Sequence, residues 1–199
     1  MKRQSSRQLL AEEERSKYER MWATEQYRKA GSPSSILLNR LPVGSWLKEF
    51  EIKSVLDAGC GSGTLLKEIK RLNPAIDVRG MDIAENAVDF RLKDVFIRQC
   101  LWEPFPDKKY GAIFSIDVLE HIPTDKIDAV LDNFSRSFEK FVFMSICLVD
   151  DKYGKLIGEA LHLTVKDCFW WFDKLRMHGF GIKFSLINEI TLDALCVKS

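Results

Sequence analysis

A chain of 199 residues, 46% hydrophobic and 11% aromatic, is long enough for one well-cored globular domain. Its 30 basic and 29 acidic residues leave a net charge of +1, so no broad basic field exists to grip a nucleic-acid backbone unaided. Five scattered cysteines without a C-x-x-C pair exclude a disulfide framework and a zinc site, and no metal is expected.

The first stretch, residues 1–34, reads as a charged, helix-prone arm with a frayed beginning, eight basic residues against five acidic ones up to Ala30. Tyr18, Met21 and Trp22 share one helical face, with Tyr27 just beyond. Such a stripe packs on a core or, because amphipathic rings suit the mouth of a small-molecule site, serves as a lid. Gly31 to Ser35 breaks the pattern, and a helix from about Ser35 to Phe50 follows, with a kink at Pro42 to Gly44. The main domain is expected over 35–199.

Residues 52–66 organise the rest. A β-branched apolar run ends in Asp57, glycines follow at alternate positions (Gly59, Gly61 and Gly63), and a helical pattern opens with Leu65, Leu66, Ile69 and Leu72. Strand, glycine turn and helix begin a nucleotide-type site, because glycine admits positive φ and lets the backbone approach a ligand. The dinucleotide fingerprint wants glycine where Thr64 stands, and an acid two residues ahead of the first glycine is a poor neighbour for a pyrophosphate. No Gly-Lys-Ser/Thr follows, which excludes a Walker loop. Asp57-Ala-Gly-Cys60-Gly-Ser-Gly63 instead resembles motif I of the class I S-adenosylmethionine (SAM)-dependent methyltransferases. That resemblance implies a Rossmann-like α/β fold with seven mostly parallel strands, strand seven antiparallel and helices on both faces. It implies SAM as cofactor and S-adenosylhomocysteine as product.

Downstream, strand two runs from Asp77 to Met81 into Asp82, placed where a carboxylate meets ribose hydroxyls or, alternatively, caps a helix over Ile83 to Leu92. Strand three, Val95 to Gln99, leads to Cys100-Leu101-Trp102, where the family usually carries an Asp or Asn for the adenine amine; here backbone groups and Leu101 must serve. Strand four, Ala112 to Ile116, leads into Asp117-Val118-Leu-Glu120-His121-Ile, which resembles small-molecule methyltransferases of the ubiquinone-biosynthesis type. The resemblance puts Asp117 and Val118 beside the methionine end of SAM and turns Glu120-His121 to the substrate. Neither D/N-P-P-Y/F nor Pro-Cys stands here, which argues against the standard DNA base methyltransferases.

A core helix from Thr124 to Phe138 and a buried strand from Phe141 to Cys147 follow. The long connection 148–164 leaves the ligand-binding end of strand five and carries Tyr153 and His162. A helix capped at Thr164 with a core stripe of Phe169, Phe172 and Leu175 comes next; Trp170 and Trp171 cannot both face inward, so one borders the pocket or an interface. Strands Ile182 to Ile187 and Leu192 to Val197 close the chain.

The expected reaction is in-line attack of a small-molecule oxygen or nitrogen on the sulfonium methyl. Its candidate bases are His121 and His162, and its candidate acceptor contacts are Trp22, Tyr27, Tyr153 and Trp170. A nucleotide or nucleic-acid acceptor, a non-catalytic SAM-binding protein and a nicotinamide oxidoreductase stay open beside it. With no apolar run near about 18 residues, a soluble, cytoplasmic protein is expected; the oligomeric state is left open.

Overall fold

The computed structural model describes residues 6–29 and 40–199. Strands β1 (Ser54–Ala58), β2 (Asp77–Asp82), β3 (Phe96–Arg98), β4 (Tyr110–Ile116), β5 (Phe138–Cys147), β6 (Phe180–Ile187) and β7 (Thr191–Lys198) form one sheet in the order β3-β2-β1-β4-β5-β7-β6. The first five run parallel, and β7 is antiparallel to both β5 and β6. The helices are α1 (Ser6–Ala23), α2 (Glu25–Lys29), α3 (Val43–Glu49), α4 (Thr64–Leu72), α5 (Ile127–Ser137) and α6 (Cys168–Met177).

Successive strand residues face opposite sides of a sheet, so a strand buried on both faces must be apolar throughout. In β1, Val55 joins one core with Ala112, Phe114, Phe141 and Phe143, packed under Leu65, Leu66 and Ile69 of α4. Leu56 and Ala58 join the other, with Ile113, Val142 and Met144 under Leu131 and Phe134 of α5 and Trp171 of α6. Each fully buried Leu or Ile of α4 contributes about 1.5–3 kcal/mol.

Strand order reverses between β1 and β4. In an open sheet of this kind, the crevice outside the carboxyl ends of the strands at that reversal is where ligands bind. The glycine turn and the Asp117–Ile122 turn both open into it.

Several expected elements shift. The helix over Ile83 to Leu92 is absent: Ala84 and Val88 are extended, and two short 3-10 turns, Glu85–Ala87 and Phe90–Val95, take its place. The last long helix starts at Cys168, capped by Asp167, whose side chain accepts from the Trp170 N–H. Thr164 is buried and donates its hydroxyl to the Ile122 carbonyl at 2.7 Å. Phe169 is exposed, and Trp171 fills the core instead. The expected break at Gly31 to Ser35, the boundary at 34/35 and the first residues lie outside the described residues, as does the start of the expected Ser35–Phe50 helix. Its described part is α3, with Pro42 as N-cap. No helix among the described residues is long and apolar enough to cross a membrane.

Candidate active site

The turn after β1 has Gly59, Gly61 and Gly63 all at positive φ (81, 48 and 75°). A Cβ on Gly59 would collide with the Val118 side chain, and one on Gly61 would press on the Trp22 ring at 3.0 Å. These two glycines line a cavity that opens at the carboxyl ends of the strands.

Asp82, at the end of β2, also lines that cavity. Its Oδ2 accepts from the Gly61 N–H at 2.9 Å and its Oδ1 from the Ala84 N–H at 2.9 Å. Burial raises its pKa, while these backbone donors act in the opposite direction. Asp82 thus holds the turn that follows β2 and also lines the cavity.

Of the expected cofactor contacts, Gly59, Gly61, Asp82, Ile83, Leu101, Asp117 and Val118 line the cavity. Asp57, Cys60 and Gly63 stand behind the wall. Asp57 is buried with Oδ2 lacking a hydrogen-bond partner, and burial, followed by the charge of Asp82, raises its pKa to about 8. Cys60 is buried against Gly80, and Gly63 opens α4.

Trp22 and Tyr27 form part of the cavity wall, their rings edge to plane at 5.0 Å. Tyr153 is exposed and meets Tyr27 edge to plane at 5.7 Å, outside the wall itself. Trp170 does not reach the cavity: its ring lies against Trp171 and under Lys174 Nζ. The roughly 100° step between neighbouring helix residues sends Trp171 into the core and leaves Trp170 half-buried against its edge.

The structure adds Glu14, Tyr18, Gln99, Cys100, Trp102 and Ile122 to the lining. Glu14, Tyr18 and Trp22 recur at a spacing of four, one face of α1, which is the signal by which the first two were legible. The backbone after β3 is fixed from α5: buried Asn133 donates Nδ2 to the Leu101 and Glu103 carbonyls at 2.8 and 2.7 Å.

After β4 the chain turns through Asp117, a non-glycine residue at φ 59°, with its N–H donated to the Ser145 carbonyl at 2.9 Å. Left-handed backbone at a side chain with a Cβ carries strain, and such residues cluster at functional sites. Next come Glu120, fully buried, and His121. The Glu120 Oε1 accepts from the Cys147 N–H at 2.9 Å, and its carbonyl accepts from the N–H groups of Leu163 and Thr164 at 2.7 and 2.9 Å. This docks the 148–164 connection against the β4 turn. Burial, and then the neighbouring charge of Asp117, push the Glu120 carboxyl well above its usual range. Burial lowers His121 to about 4, leaving the ring uncharged at neutral pH.

His121 lines the cavity, while His162 sits just behind it, ring centroids 4.7 Å apart and edge to plane. Nδ1 of His121 lies 2.8 Å from the Tyr18 hydroxyl and 3.2 Å from the Leu161 carbonyl, and the Tyr18 hydroxyl lies 3.3 Å from that same carbonyl. The Nδ1–H of His162 donates to the Val149 carbonyl at 2.6 Å. A carbonyl only accepts, so the second tautomer is set by its partner.

A family model described as a methyltransferase domain matches residues 9–189. No curated protein sequence matches the chain. Among solved structures, the chain is similar to a magnesium protoporphyrin IX methyltransferase from Synechocystis PCC 6803 with bound S-adenosylhomocysteine. That match has TM-score 0.63 at 20% identity, covering 92% of this chain and 94% of that one. It is also similar to DhpI in complex with S-adenosylhomocysteine, with TM-score 0.65 at 16% identity, covering 96% and 97%. A third similarity is to the mitomycin 7-O-methyltransferase, with TM-score 0.61 at 15% identity, covering 92% and 60%. A glycine turn at the strand-order reversal, an acid closing β2 and a family match over most of its length place this chain in the class I SAM-dependent methyltransferase family.

Proposed function

We propose that this protein transfers the methyl group of SAM to an oxygen or nitrogen of a small-molecule acceptor. The observation that carries the reading is that Gly59, Gly61, Asp82, Leu101 and Asp117, drawn from four separate segments, line one cavity. In this reading Asp82 accepts from the ribose hydroxyls, exchanging its present Gly61 contact for them. Cys100, Leu101 and Trp102 flank the adenine, and Asp117 faces the methionine end. The aromatic wall of Trp22 and Tyr27 holds the acceptor. O-methyltransferases among the structural neighbours favour oxygen as the attacked atom.

The acceptor's lone pair attacks the methyl carbon, and the carbon–sulfur electron pair returns to sulfur. Positive charge disappears in that step, so alignment of the two bound reactants is the main lever, worth roughly 7–11 kcal/mol. Two imidazoles, His121 and His162, stand on the acceptor side. A base there contributes about 10²–10⁴-fold, the smaller share.

Calorimetric titration with SAM and S-adenosylhomocysteine tests the reading, with Asp82→Ala as the control. Micromolar binding that falls by at least about tenfold in the variant, the equivalent of one charge-assisted hydrogen bond, is the expected result. A folded protein that binds neither ligand sinks it.

A further inference from the structure

Asp117, Glu120, His121 and His162 each offer one ligand atom, and these four atoms lie within 4.8 Å of one another. Three features of this cluster suit a cation. First, two carboxylates meet with no Lys or Arg ion pair to either among the described residues; the nearby Lys17 is held by Glu14 at 2.6 Å and by the Ala160 carbonyl. Second, Glu120 is 0% exposed, one oxygen accepts from the Cys147 N–H, and the other is buried without a donor, within hydrogen-bond reach of the Asp117 carboxylate. An orphaned buried carboxylate oxygen costs its full desolvation unless something binds it. Third, both imidazoles are anchored through Nδ1, on Tyr18 and on the Val149 carbonyl, which leaves Nε2 of each available. A metal-ligating histidine is typically held in this way, through its other ring nitrogen.

We infer that Asp117, Glu120, His121 and His162 form a divalent transition-metal site that receives a hydroxyl-bearing acceptor. Two imidazoles favour Mn²⁺, Fe²⁺ or Co²⁺ over Mg²⁺ and Ca²⁺, which take all-oxygen sets. An octahedral ion held by four protein atoms keeps roughly two positions free, so the acceptor class is one with two adjacent oxygens. Asp117 and His121 line the cavity, which puts the open side of the ion toward it.

The acceptor role rests on the methyl-transfer reading; the metal site itself does not. Lewis acidity lowers the pKa of a bound hydroxyl. The acceptor then gives its proton to water, its oxygen bonds to the methyl carbon, and the sulfonium becomes a thioether. Ligation uses the same nitrogen lone pairs that a base would use, so the two histidine roles exclude each other.

The test uses the full chain stripped with a chelator and without SAM, titrated with Co²⁺, Mn²⁺, Zn²⁺ and Mg²⁺ by calorimetry, with visible absorption following Co²⁺. One transition ion per chain at micromolar affinity, tighter than Mg²⁺, is expected. His162→Gln, in a connection rather than a core element, and Glu120→Gln should each weaken it by about 10–100-fold or more, with circular dichroism reporting the fold. Catechol should shift the Co²⁺ spectrum, and hydroquinone should not. No binding, binding of Mg²⁺ alone, or affinity that survives both substitutions overturns the site; an unmoved spectrum with catechol overturns the acceptor class. SAM titration of the same stripped protein separates the two claims. SAM binding without metal binding removes only the site, and metal binding without SAM binding removes the methyl-transfer reading.

Discussion

Asp57, the one acid of the glycine-turn motif, is held in a site that disfavours its charge. It is 2% exposed, one oxygen has no hydrogen-bond partner, and its pKa rises to about 8. An unfolded aspartate titrates near 4. Below that value both states hold the proton and the shift costs nothing. As pH rises from about 4 to about 8 the unfolded chain releases a proton that the folded chain keeps, so stability falls across that window. The bound on the effect is on the order of 5 kcal/mol. Asp57→Asn, which keeps the shape and removes the titration, should flatten the fall in thermal midpoint between pH 5 and pH 9. Parallel pH profiles for the two proteins would show that Asp57 is not buried as the neutral acid.

The same scale explains which site residues were legible. Gly59, Gly61, Asp82 and Asp117 announce themselves by type and spacing, because only glycine fits beneath Val118 and Trp22 and only an acid ends β2. Glu120 and His162 did not announce themselves as partners. Nothing in the interval between them says that the Leu163 and Thr164 N–H groups dock on the Glu120 carbonyl and bring the second ring beside the first. Trp170 misled for the converse reason: a Trp-Trp pair fixes that one ring faces outward and leaves open where outward points.

Among elements, β4 and most of β5 were readable because they are buried on both faces, and the strand ends moved by only a few residues. The segment after β2 was not. Its Ile83, Ala87 and Phe90 fit a helical face, yet Asp82 holds the Ala84 N–H, the Ser62 carbonyl accepts from the Asp89 N–H at 3.4 Å, and Arg91 doubles back on Asp89. Tertiary hydrogen bonds hold the chain extended where propensity alone favours a helix. Side-chain-to-backbone bonds between elements matter for function in α5 as well. Asn133 is 3% exposed and fixes two carbonyls of the wall after β3. Asn133→Ala takes the donor from the buried Leu101 carbonyl, which costs about 1–3 kcal/mol. It should also weaken SAM binding, since Leu101 and Trp102 line the cavity. An unchanged chemical-denaturation midpoint would refute the structural claim, and unchanged SAM affinity in the destabilised variant would refute the link to the wall.

For the whole molecule, the cavity is where distant parts of the chain meet. Its wall takes residues from α1, the glycine turn, the end of β2, the segment after β3 and the turn after β4. None of these is near another in an unfolded chain, so a ligand in the cavity binds only the native state and stabilises it by mass action. At about a hundred times the dissociation constant that effect is about 2.7 kcal/mol, and for a chain of this size it should raise the thermal midpoint by roughly 5–10 °C. The α1 wall is the separable part. Trp22 is only half-buried and presses on Gly61, so Trp22→Ala should change the ligand-free midpoint little while reducing the shift given by a fixed concentration of S-adenosylhomocysteine. If the variant keeps the full shift, α1 shelters the cavity without contributing to cofactor binding. A smaller shift means that the arm must be in place before the cofactor is held.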